Sequence, residues 1–390
     1  MTVARSASCT DAAGSTATDL LVTPFTPTAD RGRALRTYGV VAALARHRDV
    51  EVLYKHFGAE QPAPEYSRLG RVRLLDVIAA RGPARALLYA RARLAGVPLA
   101  DARGLSPELA SAAVEAAKVP GRGRVIADGP TVAASLCGRG IDFVYLAHNV
   151  ESSLRPTLPD FRRSCGSESK LRRFERRLLV AAQESWMASR RDVDLARELA
   201  PQAGLRYVPN VVDVGSVRAV PTERPSARRA LLMGDYSYPP NVHALRFMMD
   251  EVMPRVWLVL PDAELLVAGH NLALPAGADP RIRPLGFVAQ ADDAYAQAAC
   301  VVVPLLEGGG SPLKFVDALA HGLPVVATGR AAAGLEVQDG VHYRRADGAE
   351  AFARALADVL GAGAPQIARR GRQLAERAYS IEALAAILRP

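Results

Sequence analysis

The sequence contains few of the residues that mark disulfide-stabilised or zinc-binding proteins. Only four cysteines occur among 390 residues, and no two of them form a C-x-x-C pair: Cys9, Cys137, Cys165 and Cys300. Such spacing suggests neither a disulfide framework nor a structural zinc site. We interpret the four thiols as incidental.

Long apolar segments are also missing. The chain has no run of ~18 uninterrupted apolar residues, which a membrane-spanning helix requires. Its first residues, MTVARSASCTDAAGSTATD, lack the apolar core of a secretory signal. We therefore expect a cytoplasmic protein.

The net charge of +9 raises the question of an anionic partner. The basic residues are scattered and lack the interleaved aromatics of single-strand nucleic-acid binders, so nucleic acid is excluded as the expected partner. The densest basic cluster, residues 162–177, is interpreted as a solvated helix face with Glu168 and Glu175 interspersed. The alternative is peripheral docking on the inner face of an anionic membrane.

Short apolar segments alternate with Ala/Leu/Arg-rich helical patterns along the whole chain, which predicts parallel sheets covered by helices. A Pro- and Val-rich connector at 211–229 divides the pattern into two halves. We predict an α/β protein with two doubly wound, Rossmann-like domains facing across a cleft. The predicted boundaries are a disordered tail (1–18), a first domain (19–215), a second domain (216–375) and a terminal helix (376–390) that packs back on the first domain.

The segment EGGGSPLKFVDALAHG (307–322) carries the clearest local signal. It follows an apolar strand and reads as a glycine loop, a helix capped by Ser311 with Pro312 at its first position, and Gly322 after its end. At the carboxyl edge of a parallel sheet, the free N–H groups of such a loop form a phosphate seat.

The helix that follows this loop has a polar face. Lys314, Asp317 and His321 lie at i, i+3 and i+7, which places a cation for phosphate beside a carboxylate for hydroxyl groups. The alternative interpretation is that the glycines only permit tight packing and that this face is solvated surface. Neither the Walker pattern nor the dinucleotide G-x-G-x-x-G occurs in the chain.

Four stretches together resemble the glycosyltransferases of the GT-B fold, specifically the retaining family 4 group. They are YLAHNVESSLR (145–155), LRRFERRLLVAAQESWMASRRD (171–192) with YVPNVVDV (207–214), MGDYSYPPNVHALRFMMDEVMPRV (233–256) and GGGSPLKFVDALAHGLPVVATGRAAAGLEVQDGVHY (308–343). The resemblance covers residues 19–385. It implies a nucleoside-diphosphate sugar bound mainly by the second domain and an acceptor, a small molecule or a glycan, bound by the first.

The resemblance also implies roles for individual residues. The expected diphosphate contacts are Gly309, Gly310, Ser311 and the first-domain Gly32, and the expected nucleoside contacts are Asp317, Gly269, Phe287 and Val288. Lys314 is expected to reach phosphate, and His148 to contact the donor sugar near the reacting centre. By itself His148 would read as a hydrogen-bonded histidine at a strand end. His270 and His321 are expected to support the site from the surface or from behind it.

One departure from the family pattern concerns its two glutamates, which have seven residues between them. Gly309 occupies the position of the first and Asp317 that of the second, so Glu307, with Gly308 beside it, is expected to contact the donor sugar instead.

The chemistry expected of these residues is transfer of a sugar to an acceptor hydroxyl or amine with retained anomeric configuration. Fixed donors at the diphosphate stabilise the leaving group, so we expect no metal and no cofactor besides the sugar nucleotide. Two alternatives stay open: a sugar-nucleotide epimerase on the same fold, and a catalytically degenerate nucleotide-binding or partner subunit.

Overall fold

A computed structural model describes residues 17–29, 32–56, 60–78, 90, 92–102, 104–157, 161, 165–220, 228–308 and 311–389. These residues form two parallel sheets, one of seven strands and one of six, with helices packed against both. The predicted fold class, two doubly wound Rossmann-like domains, is therefore confirmed.

The strands of the first sheet are β1 (Thr18–Thr23), β2 (Val50–Lys55), β3 (Val72–Val77), β4 (Arg122–Asp128), β5 (Val144–Leu146), β6 (Glu184–Met187) and β7 (Leu205–Tyr207). The strands of the second sheet are β8 (Arg229–Met233), β9 (Glu264–Ala268), β10 (Ile282–Gly286), β11 (Cys300–Val303), β12 (Val325–Ala327) and β13 (Arg344–Arg345).

The helices of the first half are α1 (Gly32–Ala45), α2 (Pro64–Ser67), α3 (Leu99–Ala102), α4 (Pro107–Ala117), α5 (Gly129–Leu136), α6 (Glu151–Leu154), α7 (Glu168–Ala181) and α8 (Arg190–Leu199). Those of the second half are α9 (Pro239–Arg246), α10 (Met253–Trp257), α11 (Ala291–Tyr295), α12 (Leu313–Ala320), α13 (Gly329–Ala332), α14 (Ala349–Ala362), α15 (Pro365–Ala378) and α16 (Ile381–Ile387). A 3-10 turn covers Arg155–Thr157, and a π-helical segment, Phe247–Val252, joins α9 to α10.

Both sheets have the same strand order. The first runs β3-β2-β1-β4-β5-β6-β7 and the second runs β10-β9-β8-β11-β12-β13, and neighbouring strands are parallel in both sheets. The order reverses between β1 and β4 in one sheet and between β8 and β11 in the other. In open α/β sheets ligands bind at such switch points, beyond the carboxyl ends of the strands.

The strand interiors are apolar on both faces because helices cover each sheet from both sides. Leu20, Leu21 and Val22 of β1 are fully buried. Leu20 and Val22 pack with α4, α5 and α7 on one face, while Leu21 packs with α1 and α16 on the other. The second sheet is arranged likewise, with α12 and α15 on one face and α10 and α14 on the other.

The terminal helix belongs to the core of the first domain. Leu384 and Leu388 are buried in the cluster that contains Val40, Val41 and Leu44 of α1. The preceding helix α15 packs in the second domain, so the chain returns to the first domain at this point. No helix in the described part of the chain is long and apolar enough to span a membrane.

Apolar periodicity does not indicate two of the strands, β3 and β13. Strand β3 lies at the edge of its sheet and contains only exposed and half-buried residues, so its sequence VRLLDV is not distinguished from the helical stretches around it. Strand β13 has only two residues, pairs with β12 and forms one edge of the second sheet. Edge strands carry a weaker apolar signal than central ones because one side faces solvent.

Helix α12 begins slightly later than predicted. Pro312 is the N-cap residue and Leu313 the first helical one, so Ser311 lies before the helix and its side chain does not cap it. The end is as predicted: Gly322 has φ of 71°. Its N–H bonds the Leu319 carbonyl and that of Leu323 bonds the Ala318 carbonyl, which together form a Schellman motif.

Candidate active site

In the first domain, His148 and Asp128 meet at the carboxyl ends of neighbouring strands. Asp128 is the last residue of β4, and His148 follows β5 by two positions. The His148 Nε2 lies 2.6 Å from Asp128 Oδ1, and the Thr37 hydroxyl donates to Asp128 Oδ2 at 3.1 Å. Because both partners are buried, this pair is a fixed part of the domain.

The electrostatics of this pair favour a neutral imidazole beside an ionised carboxylate. Burial lowers the pKa of His148, and the nearby Arg33 acts in the same direction against Asp128. Burial alone would raise the pKa of Asp128, but the charge and hydrogen bond of His148 bring it below its ordinary value. Since a carboxylate only accepts, Nε2 carries the hydrogen and the neutral ring offers Nδ1 as an acceptor.

Arg33 lies at the same place, in the first turn of α1. A Cβ atom added to Gly129 would lie 3.7 Å from both the Arg33 guanidinium and His148 Cδ2, and the Arg33 guanidinium lies 5.4 Å from the centre of the Phe25 ring. Gly32 precedes it at the exposed start of α1, with open space around its Cα. An exposed cation beside His148 can attract an anionic ligand to this edge.

In the second domain, Lys314 is held at the switch point of the sheet. Its Nζ donates to Asn241 Oδ1 at 2.7 Å, and Asn241 Nδ2 donates to the Asp235 carbonyl at 2.8 Å. Asp235 and Asn241 belong to the loop after β8 and to α9, whereas Lys314 lies in the first turn of α12. Burial lowers the pKa of Lys314 to about 8.

Glu307 and Gly308 lie at the carboxyl end of β11. Glu307 Oε1 lies 2.5 Å from His243 Nδ1, and a Cβ atom on Gly308 would lie 3.5 Å from the Tyr238 hydroxyl. Burial raises the pKa of Tyr238 to about 12, with contributions from Glu307 and, across the cleft, from Glu151 of the first domain. Asn210, which follows β7, bonds the carbonyl of Ser311, which follows β11, so the carboxyl edges of the two sheets face each other.

The residues predicted to contact the nucleoside base lie at the ends of β9 and β10. Gly269 has φ of 134°, and a Cβ atom there would lie 1.7 Å from the Gly234 carbonyl oxygen, so only glycine lets these two loops meet. Phe287 is 59% exposed and its ring lies 4.4 Å from that of His270. Val288 is half-buried and packs against the core of the second domain.

Asp317 lies above a buried histidine. His321 is 1% exposed, its Nε2 lies 2.9 Å from Asp292 Oδ1, and its Nδ1 lies 2.8 Å from the Asp317 carbonyl. The Tyr295 ring stacks on it at 3.9 Å. Burial raises the pKa of Asp317, and His321 opposes that shift. Of the two expected positions, on the surface or behind the site, His321 takes the second, and it contacts Asp317 from the interior.

Ser311 joins the second domain to the first. Its carbonyl accepts from Asn210 Nδ2 at 2.7 Å, and Asn210 Oδ1 accepts from Arg36 Nη1 at 2.9 Å. All three residues are buried, and among the described residues the Ser311 hydroxyl has no hydrogen-bond partner. Burial lowers the pKa of Arg36 to about 10, with Asp192 opposing the shift.

The structure thus divides the predicted residues into two groups on facing edges. The first domain contributes Gly32 and His148, and the second contributes Gly269, Phe287, Val288, Glu307, Gly308, Ser311, Lys314 and Asp317. Gly309 and Gly310 lie outside the described residues. The functional roles of all these residues stay predictions.

Sequence reasoning missed Asp128 and Asn210. Asp128 ends the apolar strand RVIAD directly before Gly129-Pro130, and an acid at that point of a parallel strand is a usable signal for a ligand-binding edge. Asn210 lies in YVPNVVDV, a stretch that supported the resemblance but suggested no contact. Its partner Ser311 is 101 positions away.

The basic cluster differs from its interpretation. Glu175 does not lie on the exposed face of α7, because it is buried and accepts from the backbone N–H groups of Glu151 at 2.6 Å and Ser152 at 3.0 Å. Burial raises its pKa to about 7. The exposed face is consequently more basic than predicted: Lys170, Arg172, Arg173, Arg176 and Arg177. Membrane docking stays a prediction.

Candidate metal ligands do not converge in the described residues, where no group of three or more His, Cys, Asp or Glu side chains could hold an ion. The cations at the two edges, Arg33 and Lys314, are instead suited to an anion.

Residues 227–362 match the family model described as Glycosyl transferases group 1. Residues 227–362 are therefore similar to the group 1 glycosyltransferases, and we refer to them as the group 1 domain. The matched range contains β8 to β13 and every second-domain residue named above for the site. Lys314 and Asp317 therefore lie in the group 1 domain. A search of curated protein sequences gives no match.

Solved structures share the architecture of the whole chain. Sucrose-phosphate synthase from Thermosynechococcus elongatus is 17% identical with a TM-score of 0.70, covering 95% of this chain and 97% of that one. Anabaena HepE, crystallised with UDP and glucose, is 14% identical with a TM-score of 0.66, covering 95% and 97%. WaaG, a glycosyltransferase involved in lipopolysaccharide biosynthesis, is 14% identical with a TM-score of 0.61, covering 95% and 99%. The group 1 domain is thus the second half of a GT-B fold.

Proposed function

We propose that the protein transfers a sugar from a nucleoside-diphosphate sugar to an acceptor hydroxyl or amine, with retention at the anomeric carbon. The observation that carries the proposal is the position of Lys314 in the first turn of α12, inside a group 1 glycosyltransferase domain. Asn241 holds its ammonium group where the loops after β8 and β11 meet.

The chemistry follows from charge. As the bond between the anomeric carbon and the phosphate oxygen breaks, the leaving diphosphate gains negative charge and the sugar becomes cationic. Lys314 and the positive end of α12 stabilise the diphosphate in this proposal. Across the cleft, neutral His148 accepts a hydrogen bond from a donor-sugar hydroxyl through Nδ1, and Asp128 fixes its tautomer.

Retention is proposed through attack on the face that the diphosphate leaves. The acceptor oxygen or nitrogen bonds to the anomeric carbon, and the departing phosphate oxygen takes the acceptor proton. In this scheme no protein side chain acts as nucleophile or general base, and neither a metal nor a cofactor takes part.

Asp317 is proposed to accept hydrogen bonds from the nucleotide ribose. Its side chain is 26% exposed. His321 Nδ1 lies 2.8 Å from the Asp317 carbonyl oxygen, and the Tyr295 ring stacks on His321. The solved neighbours suggest UDP as the first nucleotide to test, because HepE was crystallised with UDP-glucose and TarM with UDP.

The test is calorimetry with UDP, GDP, dTDP, ADP and CDP on the wild type and on Asp317→Ala. One diphosphate should bind, and Asp317→Ala should weaken it roughly tenfold to a hundredfold, the value of one charge-assisted hydrogen bond. Asp293→Ala, an exposed acid on α11, is the matched control and should bind normally.

Two results would contradict the proposal. If none of the five nucleotides binds, the proposed transfer from a sugar nucleotide is contradicted. The alternative of a catalytically degenerate partner subunit is then favoured. If Asp317→Ala binds as well as the wild type, α12 is not the nucleoside site. Incubation with the matching sugar nucleotide then separates transfer from epimerisation by the products formed.

A further inference from the structure

A continuous chain of hydrogen bonds joins the His148 segment of the first domain to the start of α12 in the second. The backbone N–H of Ala147, next to His148, donates to the Trp186 carbonyl at 3.0 Å. Arg36 Nη2 donates to the same carbonyl at 3.2 Å. Arg36 Nη1 donates to Asn210 Oδ1, and Asn210 Nδ2 donates to the Ser311 carbonyl.

The orientation of the Asn210 amide in this chain is fixed by its partners. A guanidinium only donates and a carbonyl only accepts. The amide oxygen must therefore face Arg36 and the amide nitrogen must face the Ser311 carbonyl, as the structure has them. No other arrangement of that side chain satisfies both neighbours.

Burial makes this chain effective. Arg36 is 2% exposed, and Asn210 and Ser311 are each 7% exposed, so water does not replace a lost partner readily. Arg36 also donates to the Val208 carbonyl at 2.9 Å, which anchors the segment that carries Asn210. The amide is thus held by the first domain and acts on the second.

We propose that Asn210 is a positioning residue, which sets the diphosphate side of the site relative to His148. It holds the Ser311 carbonyl and so fixes where the backbone enters α12, one turn before Lys314. This inference rests on the proposed function for its consequence in catalysis, although the contact itself does not.

The test uses Asn210→Asp in the full-length protein. Aspartate keeps the shape and strengthens the contact with Arg36, but its second oxygen faces the Ser311 carbonyl and cannot donate to it. The variant should still fold, with a lowered melting temperature because two buried acceptor oxygens then face each other, and should bind the nucleoside diphosphate about tenfold more weakly, as expected for one lost buried hydrogen bond. Gln183→Glu, an exposed first-domain change of equal charge, should bind normally.

Hydrogen exchange of the ligand-free protein provides a second readout. Amides in 311–316 should exchange faster in Asn210→Asp, while those of β1 and β2 should be unchanged. If the aspartate variant does not fold, Asn210→Ser, which cannot span both partners and buries no charge, should show the same two effects.

Normal binding and normal exchange in a folded variant would overturn the inference. If the wild type binds none of the five nucleotides, the proposed function fails. The exchange measurement still tests whether Asn210 positions α12 in that case.

Discussion

At the scale of single residues, burial decides which groups of the cleft are charged. Lys314 and His148 both have a lowered pKa because burial disfavours their cationic forms. The consequences differ. His148 is kept neutral at pH 7 beside an ionised Asp128, whereas Lys314, with a pKa of about 8, stays mostly charged and responds to an anion.

The affinity for the nucleoside diphosphate should therefore fall at high pH. Below pH 8 Lys314 is already protonated in the free protein, so binding requires no proton uptake. Above about 8 it is neutral when free, and the bound diphosphate raises its pKa, so binding takes up a proton and weakens by up to tenfold per pH unit. Calorimetry from about pH 6.5 to about pH 9.5 measures this slope.

Lys314→Arg supplies the control for that profile, because arginine keeps its charge over the whole range. Its affinity should be nearly constant across the series. The same high-pH loss in this variant would show that another group titrates.

His148→Ala should lower the rate of sugar transfer by roughly a hundredfold, because a contact aimed at the reacting sugar is lost. Nucleotide affinity should change by less than about threefold, since we propose that the diphosphate and the nucleoside bind mainly to the second domain. Steady-state kinetics with parallel calorimetry separate the two quantities. An equal loss of both would mean that His148 is structural.

At the scale of elements, the loops after the strands show how far the local sequence reaches. The pattern of residues 307–322 predicts a glycine loop and a helix ending at Gly322, and the Schellman motif confirms that end. It does not predict that Ser311 lies before the helix with its carbonyl held by Asn210. Helix ends depend on local hydrogen bonds, whereas this contact depends on how the domains are placed.

Gly269→Ala should destabilise the group 1 domain by about 3 kcal/mol or more. The added Cβ would overlap the Gly234 carbonyl, and the positive φ adds backbone strain. Chemical unfolding measures the effect. Gly277→Ala is a matched control: its φ is also positive, at 81°, but nothing lies within 4 Å of the new atom.

The two glycine variants separate the clash from the strain. The control should lose only about 1 kcal/mol, the cost of an unfavourable φ. Equal losses would show that the loops after β8 and β9 can move apart.

At the scale of the whole molecule, the terminal helix α16 ties the end of the chain to the first domain. Leu384→Ala should lower the free energy of unfolding by about 3 kcal/mol, because it leaves a cavity against α1. Glu382→Ala on the same helix removes only an exposed ion pair with Arg46 and should cost less than about 1 kcal/mol. Thermal and chemical unfolding compare the two.

If Leu384→Ala is as stable as Glu382→Ala, the helix is not part of the first-domain core. Hydrogen exchange in α1 then shows whether the two helices still contact each other.

The sequence by itself determined the strand and helix alternation, the two-domain architecture and the end of α12 at Gly322. These depend on apolar periodicity and on capping residues, which act over a few positions. Apolar periodicity did not indicate the edge strands β3 and β13, because their residues are exposed or half-buried.

Only the tertiary structure decided which residues meet in the cleft. Asp128 pairs with His148 because β4 and β5 are neighbours in the sheet, and His321 is buried because α11 packs beside α12. Asn210 reaches Ser311 because the two sheets face each other along their carboxyl edges. These contacts join residues that are 20 to 101 positions apart, and strand order and domain placement, which bring them together, are not written in any local pattern.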